Sequence, residues 1–252
     1  MTAHPIIPKR LKREPLIEAI WQIQFEPAPS QSVGDILPGV LYAELKAHHP
    51  GLRLHRLPIA DFPAPVVQLD PNLRFAAKYR MEEQDKPFLF QVGDRVLTLN
   101  CRKPYSGWSA FKEKIHLLIE IVEKSGLIPR PRRHSLRYLD LLALHPAPDL
   151  SALQISLKVG QQKIHGLPLQ LRLELPDGNC THVVQIVTPA ETRFPDGSQT
   201  GSILDMETFA TATPDGWNVV KNQIDHLHDR SKSLFFEKLL TQEAINALNP
   251  EY

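Results

Sequence analysis

Alternation of apolar and polar positions recurs along this chain. From Pro15 to Phe25, Ile17, Ala19, Trp21, Ile23 and Phe25 fall on one face, and Glu18, Gln22 and Gln24 on the other. A period of two with aromatic and β-branched residues predicts a half-buried strand. Pro15 suits its start, where no ladder donor is needed, and Pro27 and Pro29 end it. Leu37, Leu41 and Leu45 then recur at four-residue spacing and predict a helix to about His48. Its start is either a capping pair, Ser32 with Asp35, or Pro38 in the first turn; Pro50-Gly51 stops it.

Short strands are predicted at Leu52 to Leu57, Val66 to Leu69 and Leu73 to Arg80. Phe88 to Val92 and Arg95 to Cys101 flank Gly93-Asp94, a two-residue hairpin signal, with Val96, Thr98 and Asn100 on one face. The clearest helix opens at Ser106-Gly107-Trp108. Trp108, Phe111, Ile115, Leu118, Ile119 and Val122 recur at three- and four-residue spacing, and Ser125-Gly126 closes the run.

A central strand follows, Ser135 to Leu144, apolar on both faces toward its end and therefore predicted to lie inside a sheet. Leu150 to Leu157 predicts a short helix or turn. Leu169, Leu171, Leu173 and Leu175 alternate with Gln170, Arg172 and Glu174, and Asp177-Gly178 turns the chain into Thr181 to Val187. Thr188 to Gly201 reads as a loop and Ser202 to Thr211 as a strand. Asp215-Gly216-Trp217 opens a long helix to about Leu240, and Thr241 caps a last short one to Leu248.

The two halves rhyme. Each reads strand, helical stretch, antiparallel strands, Gly-Trp, helix, and Phe25-Glu26-Pro27-Ala28-Pro29 is echoed by Leu144-His145-Pro146-Ala147-Pro148. Aligning the tryptophans pairs Lys112 with Lys221, Ile115 with Ile224 and Leu118 with Leu227. The predicted class is α+β: an internally duplicated antiparallel sheet unit with helices packed on the sheets and a short C-terminal helix. Residues 1–14 form a flexible basic arm, 15–129 the first repeat and 130–252 the second, together one cooperative unit.

Composition narrows the function. The 252 residues carry a net charge of +1, so no global field draws the chain to nucleic acid or membrane. Two cysteines exclude a disulfide framework and a cysteine-rich metal site, and fit a reducing cytoplasm. No apolar run nears the roughly 20 residues of a membrane helix, and the N-terminus lacks the apolar core of a signal peptide. There is no Gly-x-Ser-x-Gly, phosphate loop or dinucleotide fingerprint, so no cofactor and no metal site is predicted.

Four ordered segments resemble a sporadically distributed family of uncharacterised bacterial proteins of about this length. They are Pro15-Leu16 with Glu18-Ala19 and Phe25; Tyr105 with Gly107-Trp108 and Phe111; Leu136-Arg137-Tyr138; and His226 to Leu240 with Phe236-Glu237, Thr241 and Glu243-Ala244. The chain departs from the family at Asp140, where an asparagine is frequent. The resemblance implies a bacterial cytoplasmic protein and no particular activity.

Three groups could carry chemistry. Arg130, Arg132, Arg133 and Arg137 form the densest basic patch, with His134 inside it, suited to phosphate or an acidic partner. The plainer reading is a solvated start to a strand plus an ion pair. Asp225, His228 and Asp229 could supply a carboxylate–imidazole base on the last long helix. His226 and His228 are two apart, not the four a helical zinc pair wants. Arg102 and Lys103 beside Cys101 hint at a lowered thiol pKa. The reading ranked first is a non-catalytic accessory protein that binds a partner protein or a second copy of itself, with the family's sporadic distribution pointing to defence or toxin control. A nucleic-acid-binding subunit using Lys9 to Arg13 and Arg130 to Arg137 comes next, and an enzyme built on His228 third.

Overall fold

The computed structural model describes residues 7–28, 32–71, 73–145, 149–164, 166–195 and 197–252. In chain order the elements are β1 (Arg10–Leu11), β2 (Leu16–Phe25), α1 (Val33–His48), β3 (Arg53–Arg56), a 3-10 turn (Pro58–Asp61), α2 (Ala64–Leu69), β4 (Tyr79–Glu82), β5 (Phe88–Val92) and β6 (Val96–Arg102). Then come α3 (Trp108–Ser125), β7 (Pro131–Leu142), β8 (Leu157–Val159), β9 (Gln162–Ile164), β10 (Leu169–Asp177), β11 (Cys180–Phe194) and β12 (Gly197–Ala210). The chain ends with α4 (Trp217–Ser233), a π-helical turn (Leu234–Leu239), α5 (Gln242–Ala247) and β13 (Pro250–Glu251). This is the expected α+β class, with more strand than helix and a large antiparallel sheet. Among the described residues no helix is long and apolar enough to cross a membrane.

Among the described residues, nine strands follow the order β10-β11-β12-β7-β2-β6-β5-β4-β3. β7 therefore has a strand on each side, as its two apolar faces predict. Outward from β2 the order is β6, β5, β4; outward from β7 it is β12, β11, β10. In each half the opening strand thus neighbours the strand that leads into the Gly-Trp helix. Gly107 and Gly216 both stand immediately before those helices at φ 85° and 87°, a backbone state that a side chain would strain.

The chain divides into two compact units, and neither is one continuous stretch. One unit is Glu18–Arg137 with Phe209–Asp225. Its core face is written by β2, where Ala19, Trp21, Ile23 and Phe25 are buried as their alternation predicts. Register extends this row across the sheet: Trp21 opposite Leu99, Leu99 opposite Phe90, Phe90 opposite Met81, and Met81 opposite Leu54, where the row becomes exposed. Helix α3 packs on β6 and α1 packs on β5, burying Leu37, Leu41 and Leu45 from α1 and Phe111, Ile115 and Leu118 from α3. Trp217 donates its indole N–H to the Ile128 carbonyl at 2.9 Å.

The other unit joins Met1–Ile17, Tyr138–Thr208 and His226–Tyr252. Its hairpin β10–β11 pairs Leu173 with Val184 and Leu175 with His182. Thr241 caps α5 as expected, its hydroxyl accepting from the Ala244 N–H at 3.2 Å. The basic N-terminal stretch pairs with the C-terminus: Arg10 lies opposite Glu251 and Leu11 opposite Pro250, with Leu11 buried.

Several boundaries differ from those the sequence suggests. Val66 to Leu69 lies in α2, not a strand, because Pro63 and Pro65 fit the start of a helical turn. Leu73 to Lys78 is irregular, and the strand begins at Tyr79. α1 starts at Val33, so Pro38 lies inside it, and Ser32 makes no side-chain cap. The β5–β6 turn is centred on Asp94-Arg95, since Gly93 N–H donates to Val96 C=O. Gly93 serves close approach instead: a Cβ there would sit 2.2 Å from the Ala76 carbonyl oxygen. β7 begins at Pro131, taking the basic run into the strand and ending before Leu144. Thr188 to Gly201 is mostly strand, because β11 and β12 continue as one long hairpin. Ala147 and its two flanking prolines, the second half's echo motif, lie outside the described residues.

Candidate functional site

The side of the β3–β6 and β2 sheet away from the tryptophan row is written in polar residues. Register places Gln22 opposite Thr98, Thr98 opposite Gln91, Gln91 opposite Arg80 and Arg80 opposite His55. One row of hydrogen-bonding side chains therefore crosses five strands. A second row runs Ile20, Asn100, Leu89, Glu82, Arg53, and Glu18 lies opposite Arg102 at its border. Antiparallel sheets tolerate this division between an apolar and a polar face; on the polar face Thr98 and Asn100 are buried, and Gln22, Gln91 and Arg80 around them are half-buried.

These groups are tied into a network. Asn100 Nδ2 donates to Glu18 Oε1 at 2.9 Å, and the Thr98 hydroxyl donates to Asn100 Oδ1 at 2.8 Å, which fixes the amide. Glu82 receives Arg102 Nη2 at 2.9 Å and Arg80 Nη2 at 2.8 Å, with His55 Nε2 3.9 Å away. The Arg80 Nε–H is buried and has no hydrogen-bond acceptor among the described residues. The Arg102 side chain is 42% exposed and that of His55 44%, so the network reaches solvent.

The basic run lies at the start of β7. Arg130 and Arg132 are exposed, and Arg133 and Arg137 are half-buried. The Arg133 guanidinium lies 3.6 Å from the centroid of the Phe209 ring, a cation–π contact. His134, one residue on, is buried and points the other way, its Nε2 2.8 Å from Gln223 Oε1. Burial holds its pKa below the usual histidine value against the opposing effect of that bond.

The carboxylate–imidazole candidates have separate surroundings. Asp225 accepts from Trp108 Nε1 at 3.2 Å and from Lys112 Nζ at 2.5 Å. His228 Nδ1 lies 2.9 Å from the Tyr138 hydroxyl, and Asp229 is exposed. Cys101 corrects an expectation. Its thiol is buried and its pKa is pushed up, chiefly by burial, with bonds to Ser106 opposing. Adjacent lysine and arginine in sequence do not lower a pKa when the sulfur turns into the core.

A serine–threonine–histidine–aspartate chain escaped the sequence reading. His182 Nε2 lies 3.1 Å from Asp177 Oδ2, His182 Nδ1 lies 2.8 Å from Thr208 Oγ1, and Ser231 Oγ lies 2.8 Å from Thr208 Oγ1. Asp177 also pairs with Arg230 and, at 3.5 Å, with Lys238. The order resembles a nucleophile–base–carboxylate relay. However, Thr208 is 0% exposed and Ser231 2%, so no substrate carbonyl can reach either hydroxyl. The chain is a structural tie joining the β10–β11 turn, β12 and α4.

Among the described residues, no group of three or more His, Cys, Asp or Glu side chains could hold a metal ion. An open cleft of about 400 Å³ lies beside β8 and β9, lined by Leu150, Leu153, Ile155, Leu157 and Ile164 with Lys163. No known protein-family model matches the chain, and no curated protein is significantly similar to it.

Proposed function

We propose that this is a non-catalytic binding protein that docks a partner protein on the polar sheet face, through Gln22, Gln91, Arg80 and His55, which flank the buried Thr98. The observation that carries the reading is the five-strand polar row, on the opposite side of the sheet from the buried apolar row that runs from Trp21 to Met81. A sheet face of this kind offers many donors and acceptors on a rigid support, which is what specific recognition needs. Its charges are mixed: Glu18 and Glu82 interleave with Arg80 and Arg102. Carboxylates within this network disfavour a phosphate backbone and suit a protein surface of alternating sign. The family resemblance supports placing that partner in a bacterial accessory system.

Photo-crosslinking residues at Gln22 and Gln91 test this, with one at Glu120 on the exposed side of α3 as control. The expected result is one protein partner captured from both sheet positions and not from Glu120. Equal capture at Glu120, or none from the sheet, would overturn the reading.

Arg130, Arg132 and Arg133 support a second reading, nucleic-acid binding at the start of β7, because two guanidinium groups are exposed and the third is stacked. Such affinity should fall steeply with salt through counterion release. Failure of the intact protein to retain single- or double-stranded oligonucleotides at about 50 mM salt removes this reading.

A further inference from the structure

β10 is the last strand of the sheet at its end, and among the described residues no further strand pairs with its outer edge. It is nine residues long, with Leu169, Leu171, Leu173 and Leu175 half-buried on one face and Gln170, Arg172 and Glu174 exposed on the other. Long unpaired edges invite another strand. We propose that this edge pairs with the same edge of a second copy of this chain, antiparallel about a twofold axis at Leu173.

Backbone direction and charge select that register together. The turn Gly178-Asn179 is a two-residue loop closed by the pair Asp177–Cys180. The closing pair of such a hairpin exchanges both bonds, and bonded pairs then alternate along the ladder. Leu175, Leu173, Leu171 and Leu169 thus point their backbone groups at β11. Gln170, Arg172 and Glu174 point theirs outward. A self-pairing must match these even-numbered residues with one another.

Three such registers are near at hand. Centring on Arg172 sets two guanidinium groups opposite each other, and centring on Glu174 does the same for two carboxylates; both are unfavourable. Centring on Leu173 sets Arg172 of each copy opposite Glu174 of the other. Within one chain these two side chains already lie 2.6 Å apart. Pairing would therefore close a checkerboard of four alternating charges. It would also place Leu171 opposite Leu175, extending the leucine face, and let Gln170 N–H donate to Pro176 C=O, which needs no donor from proline.

The test is sedimentation of the full chain and of charge-reversed variants at about 50 µM. The intact protein should sediment at twice its 28.6 kDa chain mass. Arg172→Glu and Glu174→Arg alone should each weaken self-association about tenfold or more, because every opposed pair becomes like-charged. The double exchange R172E/E174R should restore it, as should mixing the two single variants. Both sites are exposed, so loss of folding does not explain a rescue. Leu173→Cys should form an intermolecular disulfide on oxidation, since that position meets its own copy across the axis, whereas Leu171→Cys should not. A monomer at this concentration, a dimer indifferent to both reversals, or crosslinking through position 171 in place of 173 would overturn the proposal. The partner-binding face is not involved, so its crosslinks should be the same in R172E.

Discussion

The imidazole of His182 is held between Asp177 Oδ2, 3.1 Å from Nε2, and Thr208 Oγ1, 2.8 Å from Nδ1. A carboxylate can only accept, so Nε2 carries the proton and Nδ1 accepts from the threonine hydroxyl. Thr208 in turn accepts from Ser231. Two-dimensional nitrogen–proton spectra at pH 7 should find the Nε2–H tautomer. Thr208→Val should cost about 1–3 kcal/mol, because it leaves a buried acceptor on the histidine without a donor.

Acid should weaken this unit in two stages. Burial, opposed by Asp177, holds the His182 pKa below 6.5. The unfolded chain therefore takes up the proton first, and stability falls as pH drops from about 6.5 toward the folded value. The Asp177 pKa is lowered despite burial, by His182, Lys238 and Arg230. Its contribution is present above 3.8 and is lost as pH falls through its folded value. Denaturant midpoints across pH 3–7 check this: the stability difference between wild type and H182Q should shrink as pH falls below about 6.5, and a difference that stays constant across that range would show that His182 does not carry the upper stage.

Asp140 should act in the opposite direction. It is buried, and burial together with the charge of Asp205 pushes its pKa up to about 8. Between 3.8 and 8 the folded state holds a proton that the unfolded chain has released. Stability from this group is complete below 3.8 and declines as pH rises, by at most about 1.4 kcal/mol per unit. Asp140→Asn removes the charge and keeps the shape. Its melting temperature should exceed the wild type at pH 8 by more than at pH 5; an equal difference at both would show that Asp140 does not titrate there.

A cut after Gly126 should leave no folded fragment. It removes the first part of β7, up to Arg137, and the first half of α4 from the unit that holds Trp21 and Phe111. Stability of a domain is only about 5–15 kcal/mol, less than such a loss of buried surface is worth. Dispersed amide resonances from residues 1–126 alone would contradict this.

We propose that the two halves arose by duplication, since each opening strand neighbours the strand before a Gly-Trp helix. An experimental structure should superpose 16–125 on 131–233 with Trp108 over Trp217. Helices landing on non-equivalent strands would sink the idea.

Period-two runs made the strands legible. Trp21 and its alternating neighbours, and the leucines of β10, needed only side-chain parity to be placed. The polar faces of β2 and β6 were also legible, but not that Gln22, Thr98, Gln91 and Arg80 form one row, because register is set between strands far apart in sequence. Short segments failed where proline was ambiguous: Val66 to Leu69 has strand-forming residues in a helical turn. Thr188 to Gly201 was hidden by its two prolines and two glycines, which the long β11–β12 hairpin absorbed. The buried tie of Asp177, His182, Thr208 and Ser231 left no local signal, since its four members come from separate elements.

The interleaved make-up of the two units bears on synthesis. Glu18–Arg137 leaves the ribosome early, yet its remaining piece is Phe209–Asp225. That unit cannot be completed until Asp225 has been made. Domains usually fold one after another as they emerge; this chain must instead keep its apolar β2 and α3 segments from aggregating until Phe209–Asp225 has emerged.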